Sequence, residues 1–268
     1  MRYNYYTSIF SKSKTQCRKE GTLIHPFTLI RYKSIDSTNT ALKAMEDAPN
    51  GTVLCSLSQS AGRGRLGRTF VSDQGGLYLS ILLRRQEPLD QLLHVTPMAA
   101  VAVRRAIRDL YPTEIDIKWI NDLQIRGKKI CGILTEVAPQ GGIIIGIGIN
   151  CNTPAFPEEL RDIAGSLMEF CGKIDTEALL QALLRRLQEL DEGLFSHKAQ
   201  WMEEYRRNCI SLHRDVLLLS PTGQREAYAE GIGDNGELLV RFPDGSREAV
   251  SMGEVSLRNQ TTRKEASP

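Results

Sequence analysis

Residues 62–68, with the sequence GRGRLGR, place three glycines and three arginines in seven positions. Glycines let the backbone approach a ligand closely, and guanidinium groups bind carboxylate or phosphate oxygens through paired hydrogen bonds. The stretch fits G-x-G-x-x-G and nearly fits G-x-x-x-x-G-K-T, but those phosphate motifs require a helix to follow. A strand-like run follows instead, so we predict a mobile anion-binding loop between two strands. The alternative is a solvated basic hairpin.

A second candidate centres on Lys118, in the sequence IKWIND of residues 117–122. The alternating apolar residues before it place its side chain in or beside a sheet, close to Asn121 and Asp122. There a lysine can supply charge to a bound carboxylate or phosphate, and the neighbouring oxygens can hold Mg²⁺ or a hydroxyl. The alternative is a lysine whose stem covers a strand edge, with Trp119 in the core.

A third candidate is the apolar strand IGIGIN, which Gly146 and Gly148 interrupt. Glycines inside a strand mark either a bulge or a ligand pressed against the backbone. Asn150 lies where this strand ends.

Other kinds of catalytic site lack their residues. The sequence has no G-x-S-x-G, no zinc-ligand spacing, and histidines only outside the polar strand ends (His25, His94, His197 and His213), which argues against nucleophilic and zinc chemistry. The three candidates described above favour an enzyme that binds an anionic nucleotide and acts by positioning and charge neutralisation.

The chain has 268 residues, 41% apolar and 25% charged, as in an ordinary soluble globular protein with one large and one small domain. Its formal net charge of +2 is too small for bulk electrostatic binding of nucleic acid, so an anion site must be local. No apolar run approaches the roughly 20 residues that a membrane helix needs. The scattered cysteines indicate reduced thiols and a cytoplasmic location.

The elements that must position these residues form two groups. A short helix begins at DSTNTALK, capped by residue 36, 37 or 38, and residues 115–150 form three or four strands of one sheet. Beyond about residue 210, strands alternate with PTG, GDNG and PDG turns. We divide the chain into an N-terminal arm that is poorly ordered or an organellar targeting segment (1–28), a catalytic domain (29–210), a small β domain (211–260) and a polar tail (261–268).

Taken together and in this order, these stretches resemble the biotin–protein ligases. The resemblance rests on DSTNTALK (36–43), QSAGRGRLGRTF (59–70), GGLYLSILL (75–83), IKWINDL (117–123), KKICGILTE (128–136), GIGIN (146–150) and the C-terminal VSLR. It implies an α+β fold with a mixed or antiparallel central sheet flanked by helices, as in class II synthetases, and a small C-terminal SH3-like β-barrel. It also implies that biotin and MgATP form biotinyl-5′-adenylate, and that a lysine of a biotin carboxyl carrier protein then attacks the acyl phosphate.

The resemblance assigns roles to residues at the matching positions. Lys118 and Arg65 are the expected catalytic residues, with no fixed structural metal site. The residues expected to bind biotin are Ser37, Thr38, Asn39, Gln59, Arg63, Gly64, Arg65 and Lys118. The loop expected to hold the adenylate phosphate consists of Gly62, Arg63, Gly64, Arg65, Gly67 and Arg68. Asn121, Asp122 and Asn150 are expected near the nucleotide or its magnesium.

Two positions depart from the family pattern: Ile120 replaces a common proline, and Phe70 replaces a tryptophan. Phe70 can still supply an aromatic wall. Only about 30 residues precede the first motif, too few for a winged DNA-binding domain. We therefore expect a monofunctional ligase, monomeric or homodimeric, that binds no specific DNA and no membrane.

Two rival functions stay open. A lipoate or octanoate ligase or transferase has a related fold, but an alkyl chain would leave the polar Ser37, Thr38, Asn39 and Gln59 poorly satisfied. A non-catalytic nucleic-acid-binding module could also use a basic loop. The small net charge and the lack of aromatic residues between the arginines argue against it.

Overall fold

The structure is a computed structural model that describes residues 22–257, apart from residues 25, 140, 221–222 and 252. The predicted tail (261–268) and most of the predicted N-terminal arm lie outside the described residues. Within the predicted arm, Thr22–Ile24 pairs with Phe27–Leu29 as an antiparallel hairpin, and the boundary at residue 28 stays a prediction. This hairpin adds two strands to the large sheet.

The large sheet has eight strands in the order β1-β2-β3-β4-β8-β7-β6-β5. Neighbouring strands are antiparallel except β2 and β3, which are parallel, so the sheet is mixed, as predicted. The strands are β1 (Thr22–Ile24), β2 (Phe27–Tyr32), β3 (Thr52–Ser56), β4 (Leu77–Leu83), β5 (Asp116–Lys118), β6 (Asp122–Ile125), β7 (Lys128–Val137) and β8 (Ile143–Ile149).

Five α-helices are described: α1 (Thr38–Lys43), α2 (Val95–Arg108), α3 (Leu167–Cys171), α4 (Thr176–Glu192) and α5 (Lys198–Asn208). The cap of α1 is Ser37, whose side chain accepts from the Thr40 amide, and the cap of α4 is Asp175. Pro97 lies in the first turn of α2, where a missing amide hydrogen costs little.

Both faces of the large sheet are covered, which explains why β4 is buried along its whole length. Leu79 and Ile81 of β4 pack in the same core as α2 and α4. Leu82 faces the opposite way and packs in a smaller core with Leu42 of α1. Because successive side chains alternate in direction, the short helix α1 and the long helices α2 and α4 lie on opposite faces.

The second sheet is antiparallel, with five strands in the order β12-β11-β10-β9-β13. Its strands are β9 (Arg214–Ser220), β10 (Gly223–Ile232), β11 (Leu238–Arg241), β12 (Arg247–Val250) and β13 (Glu254–Leu257). It forms the small C-terminal β domain. Among the described residues, no helix has the length and apolar character that crossing a membrane requires.

Candidate active site

A row of polar residues and glycines crosses the large sheet at one level. Lys118 pairs with Asp122, Asp122 with Gly132, Gly132 with Gly148, and Gly148 with Tyr78. Directly paired residues of antiparallel strands point to the same face. This row therefore lies on one face, which is the face that α1 covers, because Asn39 of α1 lies against Gly146, two residues before Gly148.

The two glycines of this row, and Gly146 beside it, make room for two of the protein's own side chains. A Cβ atom at Gly148 would lie 2.6 Å from the Phe70 ring, and one at Gly132 would lie 2.9 Å from it. A Cβ atom at Gly146 would overlap Asn39 Oδ1. The pairing of β8 with β4 and β7 is continuous, so the bulge that the sequence allowed at these glycines is not present.

A cavity of about 420 Å³ lies between this sheet face, α1 and residues 62–68, which we call the arginine loop. Every predicted site residue lines the cavity except Gly62 and Gly67; those that line it are Ser37, Thr38, Asn39, Gln59, Arg63, Gly64, Arg65, Arg68, Lys118, Asn121, Asp122 and Asn150. Gly62 is buried instead, and a Cβ atom there would overlap the Phe70 carbonyl. Gly67 has a φ of +75°. Both glycines thus shape the loop.

The arginine loop lies between β3 and β4, as predicted. Its backbone closes on itself: the Phe70 amide donates to Gly62 O at 2.9 Å, and the Gly64 amide donates to Arg68 O at 2.7 Å. A single 3-10 turn, Arg65–Gly67, forms the tip. The next element after this turn is β4. The α-helix that both phosphate-binding motifs require does not follow the loop.

The end of the cavity next to α1 is polar and hydrogen-bonded. Gln59 Oε1 accepts from the Thr38 amide at 2.8 Å, and Gln59 Nε2 donates to Ser72 Oγ at 2.9 Å. Ser80 Oγ lies 2.7 Å from Thr38 Oγ1 and donates to Asn39 Oδ1 at 2.5 Å. Ser37 Oγ accepts only the Thr40 amide among the hydrogen bonds of the described residues. The Ser37 hydroxyl hydrogen and the second N–H of Gln59 can therefore be donated to a ligand.

The other end of the cavity is cationic. Arg65 Nη1 donates to Asn121 Oδ1 at 3.3 Å, and Lys129 Nζ lies 2.7 Å from Asp122 Oδ1. The Lys118 side chain has no hydrogen bond or ion pair with any residue that the structure describes, although Lys118 lines the cavity. Its charge is thus available to an anionic ligand.

The turn that carries Lys118 is hydrogen-bonded to α5 and to the C-terminal part of the chain. The Trp119 amide donates to Ser211 Oγ at 3.0 Å, and the Trp119 indole donates to Gly236 O at 2.8 Å. The Tyr205 hydroxyl donates to Ile120 O at 3.2 Å, and the Trp119–Ile120 peptide is cis. Trp119 is buried in the core, and Lys118 lines the cavity. A contact of Lys118 with a bound anion stays a prediction.

Asn150 serves mainly to join segments. Its side chain donates to Gly165 O at 3.0 Å, and its backbone amide donates to Ile130 O at 2.9 Å. It lines the cavity, but these bonds tie the end of β8 to the loop before α3. A direct contact with nucleotide or magnesium stays a prediction.

Sequence reasoning missed three residues at the site: Lys129, Glu136 and Ser80. Lys129 lines the cavity, with its ammonium 5.6 Å from the centre of the Phe70 ring. Glu136 does not line the cavity, but it contacts Asn39 and Arg63, which do. Two signals could have found the latter pair: Glu136 follows Gly132 at an even spacing on one strand, and Ser80 is a polar residue inside an apolar strand.

The chain is similar to known proteins in sequence and in fold. Residues 32–153 match the biotin/lipoate A/B protein ligase family, and residues 214–258 match the biotin protein ligase C-terminal domain. Over 238 residues the chain is 36% identical to the bifunctional ligase/repressor BirA of Bacillus subtilis, covering 83% of this chain and 72% of that protein. It is 31% identical to the biotin--[acetyl-CoA-carboxylase] ligase of Mycobacterium tuberculosis over 213 residues, covering 77% and 79% of the two chains.

Among solved structures, the chain is similar to the biotin protein ligase of Aquifex aeolicus in complex with biotin and ATP. The TM-score is 0.74 and the identity 32%, over 86% of this chain and 98% of that chain. The chain therefore belongs to the biotin/lipoate A/B protein ligase family, within its biotin protein ligases.

Proposed function

We propose that this protein joins biotin to a lysine of a biotin carboxyl carrier protein in two steps that consume ATP. The observation that carries the proposal is a single cavity with hydrogen-bond donors at one end and cations at the other. Ser37 and Gln59 suit the carbonyl of a ureido ring. Arg63, Arg65, Arg68, Lys118 and Lys129 suit a carboxylate and a phosphate.

In the first step, a biotin carboxylate oxygen attacks the α-phosphorus of ATP. A new P–O bond forms, the bond to the β-phosphate breaks, and pyrophosphate leaves. Negative charge accumulates on the oxygens around phosphorus, where Lys118 and Arg65 would stabilise it. Magnesium would enter with ATP and neutralise part of the phosphate charge, with Asn121 and Asp122 as the oxygen donors at the cavity.

In the second step, the uncharged amine of the carrier lysine attacks the biotinyl carbonyl. The C–N bond forms, the C–O bond to the phosphate breaks so that AMP leaves with the bonding electrons, and the amine nitrogen releases a proton to solvent. Neither step needs a nucleophile from the protein. This suits the site, because no cysteine or histidine is among the described residues that line the cavity. Burial raises the pKa of the nearby Cys151 thiol to about 12, so this thiol stays protonated at neutral pH. The free cysteines among the described residues fit a protein that works in the reducing cytoplasm.

Exchange of labelled pyrophosphate into ATP tests the proposal. The protein is incubated with MgATP, labelled pyrophosphate, and either biotin or lipoate; biotin-dependent exchange is expected. The disulfide-containing ring of lipoate accepts only weak hydrogen bonds, so it would leave the Ser37 and Gln59 donors poorly satisfied. Exchange with lipoate alone, or with neither acid, would overturn the proposal. Transfer of labelled biotin to a purified carrier domain then tests the second step.

A further inference from the structure

Glu136 of β7 joins two parts of the site without lining the cavity. It lies on the same strand face as Gly132 and Leu134, which do line it. At this point the face is covered by α1 and by the arginine loop. The side chain of Glu136 is only 14% exposed, so its carboxylate must find its partners within the protein.

Three side chains converge on this carboxylate. Oε2 accepts from Asn39 Nδ2 at 2.8 Å, while Oε1 lies 2.6 Å from Lys43 Nζ and 3.1 Å from Arg63 Nη2. Asn39 and Lys43 are one turn apart on α1, and Arg63 comes from the arginine loop. Burial alone would raise the pKa of Glu136, but hydrogen bonds from Lys43 and Asn39 and the charge of Arg63 outweigh it, so the pKa lies below its usual range.

These bonds determine which hydrogen-bonding groups of Asn39 and how much charge of Arg63 stay available to a ligand. Both amide hydrogens of Asn39 are used inside the protein, one by Glu136 and one by Leu134 O at 3.2 Å. Its Oδ1 accepts from Ser80. Asn39 is thus fixed in one orientation, and Arg63 is partly neutralised and held at the base of its loop.

We propose that Glu136 is a positioning residue, which holds the Asn39 amide and the Arg63 guanidinium so that the cavity wall and the arginine loop are set before ligand arrives. This inference rests on the proposed function for its kinetic consequences. Its structural consequence, the ordering of the loop, does not depend on which ligand binds.

Glu136→Gln is the variant that tests this role. Glutamine keeps the shape and one acceptor oxygen for Asn39, but it loses the negative charge that attracts Arg63 and Lys43. We expect the KM for biotin in pyrophosphate exchange to rise about tenfold, as for the loss of one charge-assisted hydrogen bond. The kcat should stay within about twofold, because Glu136 touches no reacting atom.

A double-mutant cycle separates positioning from general stability. If Glu136 acts through Arg63, the double variant Glu136→Gln/Arg63→Gln should bind biotin no worse than Arg63→Gln alone. Additive losses, or a KM for Glu136→Gln equal to that of the unchanged protein, would overturn the proposal. Glu177→Gln is the matched control: it removes an ion pair of similar length, 2.7 Å to Arg31, away from the cavity lining, and should change neither constant.

Amide hydrogen exchange of the ligand-free protein provides the readout that is independent of biotin. In Glu136→Gln, the amides of residues 62–70 should exchange faster, while those of β4 should not change. Unchanged exchange in the arginine loop would refute the positioning role even if biotin is the substrate. Faster exchange in the loop without biotin-dependent activity would instead reject the proposed function and keep the positioning role.

Discussion

At the scale of single residues, the cations of the cavity differ in what already holds them. Arg63 and Lys129 each face a carboxylate, and Arg65 donates to an amide oxygen. Lys118 has no such partner among the described residues. A cation that the fold does not neutralise is the one best placed to meet charge that develops during reaction.

Lys118→Ala should lower kcat for biotin-dependent pyrophosphate exchange by about 10²–10³-fold, as for the removal of one oxyanion donor. The KM for biotin should change less, because the lost interaction is strongest in the transition state. Initial rates over a range of biotin concentrations measure both constants. The exposed Lys173 provides the control, Lys173→Ala, with no expected effect. Equal kcat values for the two variants would contradict the role of Lys118.

At the scale of elements, the glycines of strands β7 and β8 form the sheet surface on which Phe70 and Asn39 pack. A glycine leaves open the space above the strand, and here aromatic and amide side chains from other elements occupy it. Phe70 supplies an aromatic wall of the cavity, as the sequence predicted for this departure from the family pattern. Its position depends on Gly132 and Gly148 together.

Gly148→Ala should weaken biotin binding at least tenfold. The new Cβ atom would lie 2.6 Å from the Phe70 ring, and because the strand is paired on both sides, the ring must move into the cavity. Overpacking should also destabilise the fold by about 1–3 kcal/mol. Calorimetric titration with biotin and thermal unfolding measure the two effects.

Gly231→Ala is the control for this change, since its nearest neighbour would be 3.6 Å away. It should leave biotin affinity intact. If Gly148→Ala binds biotin as well as the unchanged protein does, the contact between Gly148 and the Phe70 ring does not determine the position of that ring.

At the scale of the whole molecule, the long helices on the far face of the sheet carry a buried titratable group. His94 precedes α2 and is fully buried; its Nε2 donates to Leu194 O at 3.0 Å. Its Nδ1 has no hydrogen-bond partner among the described residues. Burial, and then the charge of Lys198, lower the pKa of His94, and the bond to Leu194 opposes this only in part.

Stability should therefore fall on acidification. Since the folded state binds this proton less readily than the unfolded state, the stabilisation is complete above about pH 6.5 and is lost as pH falls toward the lower folded pKa. The slope for one proton is at most about 1.4 kcal/mol per pH unit. Denaturant titrations between pH 8 and 5 measure it.

His94→Gln should flatten this slope, because glutamine can donate to Leu194 O but does not titrate. His197→Gln, at an exposed histidine, should retain it. Parallel pH profiles for the unchanged protein and His94→Gln would show that other groups cause the acid loss.

Motifs at short spacings, together with the family resemblance, predicted twelve residues that line the cavity, because the chemistry of the motifs lies in residue types. They did not predict that Lys129 lines it or that Gly62 and Gly67 do not. Short apolar runs and turn residues predicted strands of one sheet over residues 115–150 and the β domain, whereas the mixed central sheet was what the family resemblance implied. Three features became visible in the folded protein alone: β1 joins the sheet, Phe70 and Asn39 fill the space above the glycines, and Glu136 contacts both Asn39 and Arg63. Glu136 and Asn39 are 97 positions apart in the sequence. Local sequence patterns contain no information about which distant side chain will satisfy a buried polar group.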